Sequence, residues 1–220
     1  MSAEKRLYNL HTSKMRDPNS TPEMTAEFYD NWSGHYDEEV LKQNKCGGPR
    51  VCAEAVEKAL AGLNRQEVRI LDVAAGTGVV GEELQKMGFT NMDAVDGSRG
   101  MLDLAERKNI YHRLICDFVG AKPMDIENDT YDAVACCAAF GPAHLKEDCL
   151  PELIRVVKPG GYVVITFREE YLHFVEDYKD KLEPAMVRLQ DTGLWERVSR
   201  DVFPKFYQDK NGITFVYKVL

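Results

Sequence analysis

Arg69-Ile70-Leu71-Asp72-Val73-Ala74-Ala75-Gly76-Thr77-Gly78 decides the fold of this chain. The apolar run Val68–Leu71 has the composition of a buried strand. It delivers Asp72 into a turn of small residues with glycines at 76 and 78. From Val79 to Met87 the apolar spacing becomes helical, and Gly88 supplies a C-terminal stop. Strand, tight turn and helix together predict a nucleotide pocket. Glycine lets the backbone approach a ligand closely, and the helix N-terminus offers unpaired N–H groups.

Two kinds of nucleotide suit such a turn. Gly76-x-Gly78-x-x-Gly81 matches the dinucleotide fingerprint, and Asp96 follows about 20 residues on, where a ribose-binding acid belongs. Asp72 argues the other way. A carboxylate aimed into the crevice repels a pyrophosphate but suits a ligand that carries an ammonium group. S-adenosylmethionine (SAM) has an ammonium, a sulfonium and no phosphate, so the charge logic favours SAM.

The chain has 220 residues, enough for one well-filled core. Residues 1–22 are polar and broken by Asp17-Pro18-Asn19-Ser20-Thr21-Pro22, and read as a flexible tail. Residues 23–220 then form a single domain, opened by a helical lid over about 23–47. Net charge is -8 and the basic residues are dispersed, which argues against nucleic acid as a partner. The six cysteines show no metal-binding spacing, and Cys136 and Cys137 read as small core filler. No apolar stretch has the length of a membrane span, and no leader-like h-region precedes the domain. A monomer in the cytoplasm, or in the nucleus, with reduced thiols is the expectation.

Beyond the lid the chain alternates strand and helix. Strand signals fall at Val68–Leu71, Asn91–Val95, Leu114–Asp117, Ala133–Cys137 and Tyr162–Phe167. Helix signals fall at Val51–Leu60, Val79–Met87, Ser98–Lys108 and Lys146–Val157. That alternation predicts a Rossmann-like α/β fold, a mostly parallel sheet with helices on both faces and ligands at the strand C-terminal ends. One long helix over Glu169–Gln190 then precedes two strand-like runs, Trp195–Phe206 and Ile213–Val219. Asn211-Gly212 between them predicts the turn of an antiparallel hairpin, which brings the sheet to seven strands.

The candidate ligand residues lie at successive strand ends. Ala74, Gly76, Thr77 and Gly78 build the turn, and Asp96 is placed to take both ribose hydroxyls, with Gly97 open beside it and Ser98 capping the next helix. Cys116, Asp117 and Phe118 close the third strand. Asp117 can accept an adenine amine there, and Met101 can cover the base. Cys137 closes the fourth strand at the same edge. Tyr36, with Trp32 and Tyr29 as weaker members, would bring aromatic faces to a sulfonium. His144, just past the fourth strand, is the candidate base or acceptor contact, with His35 a lesser one.

Taken together, Ile70–Gly78, Asp93–Ser98, Cys116–Phe118, Tyr131–Val134 and Lys158–Gly161 resemble the ordered motifs of the class I SAM-dependent methyltransferases. Tyr29-Asp-x-Trp32, Tyr36-Asp37, Tyr111-His112, Pro151–Gly161 and Thr192-Gly-Leu-Trp195 resemble, more narrowly, the methyltransferase-like family of the Williams–Beuren syndrome chromosomal region. That family usually carries cysteine where this chain has Ala75, a change that leaves the turn intact. The resemblance implies SAM bound at the sheet edge and S-adenosylhomocysteine as product. Methyl transfer by in-line displacement needs alignment above all, so the lack of a metal site or triad is compatible with it. The acceptor reads as a small molecule, with protein an alternative, because Cys137-Ala138-Ala139-Phe140 is small and apolar. Two other classes stay open: a SAM-binding module without catalysis, and a nicotinamide oxidoreductase, for which the chain lacks a Tyr-x-x-x-Lys pair.

Overall fold

The Thr21 hydroxyl accepts the Met24 amide at 3.3 Å and Pro22 occupies the first turn, which starts helix α1, Pro22–Tyr36. In this computed structural model residues 20–43 and 46–220 are described, so most of the tail expected over 1–22 lies outside the described residues. A π-helical segment, Asp37–Gln43, prolongs α1. Helix α2, Gly48–Ala59, has Pro49 in its first turn.

The sheet then assembles by the alternation read from the sequence. Its strands are β1 (Ile70–Val73), β2 (Met92–Asp96), β3 (Arg113–Cys116), β4 (Tyr131–Cys137), β5 (Val157–Arg168), β6 (Trp195–Tyr207) and β7 (Lys210–Val219). Helix α3 (Val79–Lys86) connects β1 to β2, α4 (Arg99–Glu106) connects β2 to β3 and α5 (Leu150–Arg155) connects β4 to β5, a short 3₁₀ turn at Glu147–Cys149 leading into α5. The strand order is β3-β2-β1-β4-β5-β7-β6, parallel throughout except for β7, which runs antiparallel to both its neighbours. Alternating side chains along β1 divide the core. Leu71 and Val73 join a cluster with Leu153, Phe167 and Trp195, while Ile70 joins Val56, Leu84 and Phe89 on the opposite face. Both faces of the sheet are thereby covered. The chain leaves β1 towards β2 and returns on its other side as β4, so a crevice opens at the C-terminal ends of these strands.

Three expectations need correction. The Glu169–Gln190 stretch is two helices, α6 (Tyr171–Phe174) and α7 (Leu182–Asp191). The break lets the buried Tyr178 donate its hydroxyl to the carbonyls of Gly141 at 2.6 Å and Leu145 at 2.8 Å, an arrangement an unbroken helix would not offer. The hairpin turn is Gln208-Asp209, because Tyr207 pairs with Lys210. Gly212 lies inside β7, where a Cβ would sit 2.3 Å from the Phe203 ring across the strand pair. The fifth strand starts at Val157 and not at Tyr162, so Lys158-Pro159-Gly160-Gly161 lies within it, where the β4–β5 register shifts. Among the described residues no helix is long and apolar enough to cross a membrane.

Trp195 locks α7 onto the sheet. It is fully buried, stacks on Tyr217 at 4.0 Å between ring centroids, and donates its indole N–H to the Met186 carbonyl at 3.0 Å. Trp195→Ala is expected to lower unfolding stability by about 3–5 kcal/mol in urea titrations. A loss below about 1 kcal/mol would show that this contact is not what fixes the hairpin and α7.

Candidate functional site

The crevice holds a cavity of about 720 Å³ walled by the turn after β1, the ends of β2, β3 and β4, and helix α1. Its floor is set by Asp96. Oδ2 accepts the Gly76 amide and Oδ1 the Ser98 amide, each at 2.8 Å, so the β1 turn is tied to the end of β2. Burial pushes the Asp96 carboxyl above its usual range, and the two amides act against that rise. Gly76 has φ of +56°, and nothing lies within 4 Å of where a Cβ would stand, so its backbone faces open space. Gly97 is required for a different reason, because a Cβ there would lie 2.6 Å from the Phe118 ring.

Ala74, Gly76, Asp96, Gly97, Ser98, Met101, Asp117, Phe118, Cys137, Tyr36 and His144 all line this cavity. The structure therefore gathers most of the sequence candidates at one place. The Ser98 hydroxyl caps α4 by accepting the Met101 amide at 3.1 Å. Asp117 Oδ1 accepts the Phe118 amide at 2.8 Å, which turns the chain after β3.

Other candidates lie elsewhere. Trp32 is buried against Tyr29 and Tyr36 and donates its indole N–H to Glu39 at 3.1 Å, so it supports the aromatic wall from behind. The Thr77 hydroxyl donates to Asp37 Oδ1 at 2.5 Å, fastening the segment after α1 to the glycine turn. Cys116 is exposed, its Sγ 3.8 Å from the Gly97 carbonyl. Gly78 and Gly81 make room for Tyr111, whose ring and hydroxyl would stand 3.0 and 2.3 Å from added Cβ atoms. The third glycine of the fingerprint thus serves a side chain of this protein.

Asp72 is the main correction. It is buried behind the turn, away from the cavity, and its Oδ2 accepts the Tyr111 hydroxyl at 2.6 Å. Strand alternation explains this: Asp72 points to the face opposite Leu71 and Val73, where Tyr111 packs. Oδ1 has no hydrogen bond of good geometry among the described residues, although the Gly81 amide lies close enough to favour the charged form. Burial pushes the carboxyl up to about 7, against the pull of Tyr111 and Gly81. The residue braces the turn, and the ammonium role read from its charge is not supported.

The lid is docked through polar contacts that the sequence did not reveal. The Thr25 hydroxyl donates to the Ala143 carbonyl at 3.0 Å. Asp30 Oδ1 accepts the Ser98 hydroxyl at 2.6 Å and the Gly100 amide at 2.8 Å, so α1 helps to cap α4. Tyr29 Oη lies 2.8 Å from His144 Nε2. His144 Nδ1 is 2.7 Å from the Pro142 carbonyl, which can only accept, so Nδ1 carries the proton and Nε2 accepts from Tyr29. Burial pushes the imidazole below its usual range, keeping it neutral, while the Pro142 carbonyl pulls the other way. Among the described residues no cluster of three or more metal-ligating side chains occurs.

The comparisons with known proteins agree with this geometry. Residues 70–161 match a family model described as a methyltransferase domain. Methyltransferase-like protein 27 of Homo sapiens is 35% identical over 84% of this chain and 74% of its own length. A demethylmenaquinone methyltransferase of Clavibacter sepedonicus is 33% identical over 68% of this chain and 60% of its own. Among solved structures, the 1,6-didemethyltoxoflavin-N1-methyltransferase of Burkholderia thailandensis superposes with a TM-score of 0.61 over 90% of this chain and 89% of its own. At 16% identity that match speaks for the fold alone.

Asp72 has a consequence for stability. Its folded-state value lies above the unfolded value of about 3.9, so its contribution is full below about pH 4 and is lost as pH rises through about 7. Tyr111→Phe removes the donor that favours the charged form. It should destabilise the protein by about 1–3 kcal/mol at pH 8 and by clearly less at pH 5, where the carboxyl is protonated. Equal losses in denaturant melts at the two pH values would contradict this account of Tyr111.

Proposed function

This chain belongs to the class I SAM-dependent methyltransferases, and we propose that it delivers the methyl group to a small-molecule acceptor held in the cavity between Asp96 and His144. The observation that carries the reading is the Asp96 carboxylate, fixed by the Gly76 and Ser98 amides while facing that cavity. Each carboxylate oxygen has a second lone pair, which suits a vicinal pair of ribose hydroxyls. The open backbone at Gly76 suits a ligand pressed against the turn. Glu23, Asp96, Asp117 and Asp148 outnumber Lys122 and Lys146 on the walls, a balance that favours a cationic ligand over a pyrophosphate.

In this reading Asp96 holds the ribose and Asp117 the exocyclic amine, while Phe118 and Met101 cover the base. Tyr36, Ala74 and Cys137 surround the methionine end. SAM supplies an electrophilic methyl group, and the protein's task is to orient the acceptor and keep water out. Small walls at Ala138, Ala139 and Ala143 leave room for a compact acceptor. The name of one relative, a demethylmenaquinone methyltransferase, supports a small-molecule acceptor. The unpaired cysteines support a cytoplasmic setting.

S-adenosylhomocysteine at a hundredfold excess over its Kd is expected to stabilise the protein by about 2.7 kcal/mol, read as a rise in Tm. Asp96→Ala and the milder Asp96→Asn should remove most of that rise. A rise with NADH and none with SAM or S-adenosylhomocysteine would sink the cofactor assignment.

The lid supplies a second measurement. Asp30→Ala unfastens α1 from α4, and should weaken S-adenosylhomocysteine binding by about tenfold, close to 1.4 kcal/mol, in calorimetric titrations. Unchanged affinity would mean that docking of α1 does not shape the site.

A further inference from the structure

The connection from β3 to β4, residues 117–130, carries no helix, unlike the crossovers that hold α3, α4 and α5. Its first part, residues 117–122, walls the cavity. A helix seats itself on a sheet through an apolar stripe, whereas an irregular segment is placed by hydrogen bonds to its backbone. One such bond lies at its start, where Asp117 Oδ1 accepts the Phe118 amide at 2.8 Å. A second set comes from α5, which is seated on the sheet through Leu150 and Leu153, both fully buried. Glu152, only 5% exposed, accepts the Met124 amide at 2.7 Å through Oε1. Arg155 grips both oxygens of that carboxylate, Nε to Oε2 at 2.7 Å and Nη2 to Oε1 at 2.6 Å. It also donates to the Ile126 carbonyl and to Asn128 Oδ1, each at 2.7 Å, and to the Met124 carbonyl at 3.4 Å. All five guanidinium donors are thereby occupied.

A buried ion pair adds little stability that apolar side chains of similar size could not supply. What this pair adds is a hold on polar groups of Met124, Ile126 and Asn128, just beyond the wall. We propose that Glu152 and Arg155 are positioning residues for the base of the cofactor: from α5 they hold residues 124–128, and through them set Asp117 and Phe118 where adenine is told from other bases. The proposal rests on the methyltransferase reading of the cavity, in which Asp117 accepts the exocyclic amine. Glu152 and Arg155 are not among the residues that line the cavity, so both act through the wall. The fit there is close, since the Phe118 ring would stand 2.6 Å from a Cβ at position 97. A small displacement of the wall therefore alters the space left for a base.

Selectivity between two bases separates positioning from mere support of the fold. S-inosylhomocysteine carries a carbonyl where S-adenosylhomocysteine carries the amine, and a carboxylate that attracts the amine repels the carbonyl. A variant that is partly unfolded weakens both ligands by the same factor, so the ratio of the two affinities stays as it was. A displaced wall changes the ratio itself.

The test is calorimetry of both ligands with the full chain and its variants. The parent protein should prefer S-adenosylhomocysteine to S-inosylhomocysteine by about thirtyfold. Glu152→Leu combined with Arg155→Leu leaves no buried charge unpaired, and should cut that preference to about threefold, chiefly by weakening S-adenosylhomocysteine. Arg155→Lys keeps a cation beside Glu152 but lacks the fork that reaches the loop, and should leave a preference of about tenfold. This milder variant decides the matter alone if the double variant does not fold. A preference that stays within about twofold of the parent's in a folded variant overturns the proposal, whether or not both affinities have dropped together. So does a parent protein that binds the two ligands alike. Failure of the parent protein to bind S-adenosylhomocysteine would instead overturn the cofactor reading on which the proposal stands.

Discussion

The Asp96 carboxylate, gripped by two backbone amides at 2.8 Å, is the constraint around which the site is arranged. A carboxylate in so enclosed a place must be met by donors or give up its charge. Gly76 and Ser98 supply two donors, and in doing so they bring the β1 turn and the start of α4 to one point. The position of α1 follows. Ser98 fixes the first turn of α4, Asp30 closes on Ser98 and Gly100, and α1 is thereby laid across the cavity mouth with Tyr29 and Tyr36 facing inwards.

A second carboxylate, Asp72, shows how differently the same chemistry is used one strand away. Its partner is a side chain, Tyr111, which reaches it through the space left by Gly78 and Gly81. The glycine spacing that would admit a pyrophosphate in a dinucleotide site is filled here by a phenol ring. The charge logic therefore chose the right cofactor class from a residue that does not face the cavity. Tyr111 occupies the ground beside Asp72, and the acid that lines the cavity is Asp96.

Local patterns carried the sheet. Apolar runs at Val68–Leu71 and Ala133–Cys137 placed β1 and β4, and the small-residue turn placed the crevice beside them. The misreadings share one cause, which is contact between residues distant in sequence. Tyr178 resembles any helical aromatic until the Gly141 and Leu145 carbonyls are seen to need its hydroxyl. Asn211-Gly212 reads as a turn by composition, yet Gly212 is there for the Phe203 ring. The pairing of Tyr29 with His144 has no local signature at all. Tyr29 reads as a lid aromatic and His144 as a loop histidine, and only the docking of α1 brings them together.

Asp30 also bears on what counts as a module in this protein. The segment that carries the family signature, residues 70–161, begins after the lid and ends inside β5. Yet the first turn of α4, within that segment, is completed by Asp30 from outside it, and β4 pairs along one edge with Tyr162–Thr166 of β5, also outside it. Excised at its signature boundaries, the segment would expose an unpaired strand edge and lose a helix cap. The stretch by which the family is recognised is thus smaller than the piece of chain that can fold, and inheritance of this site requires the whole span from α1 to β7.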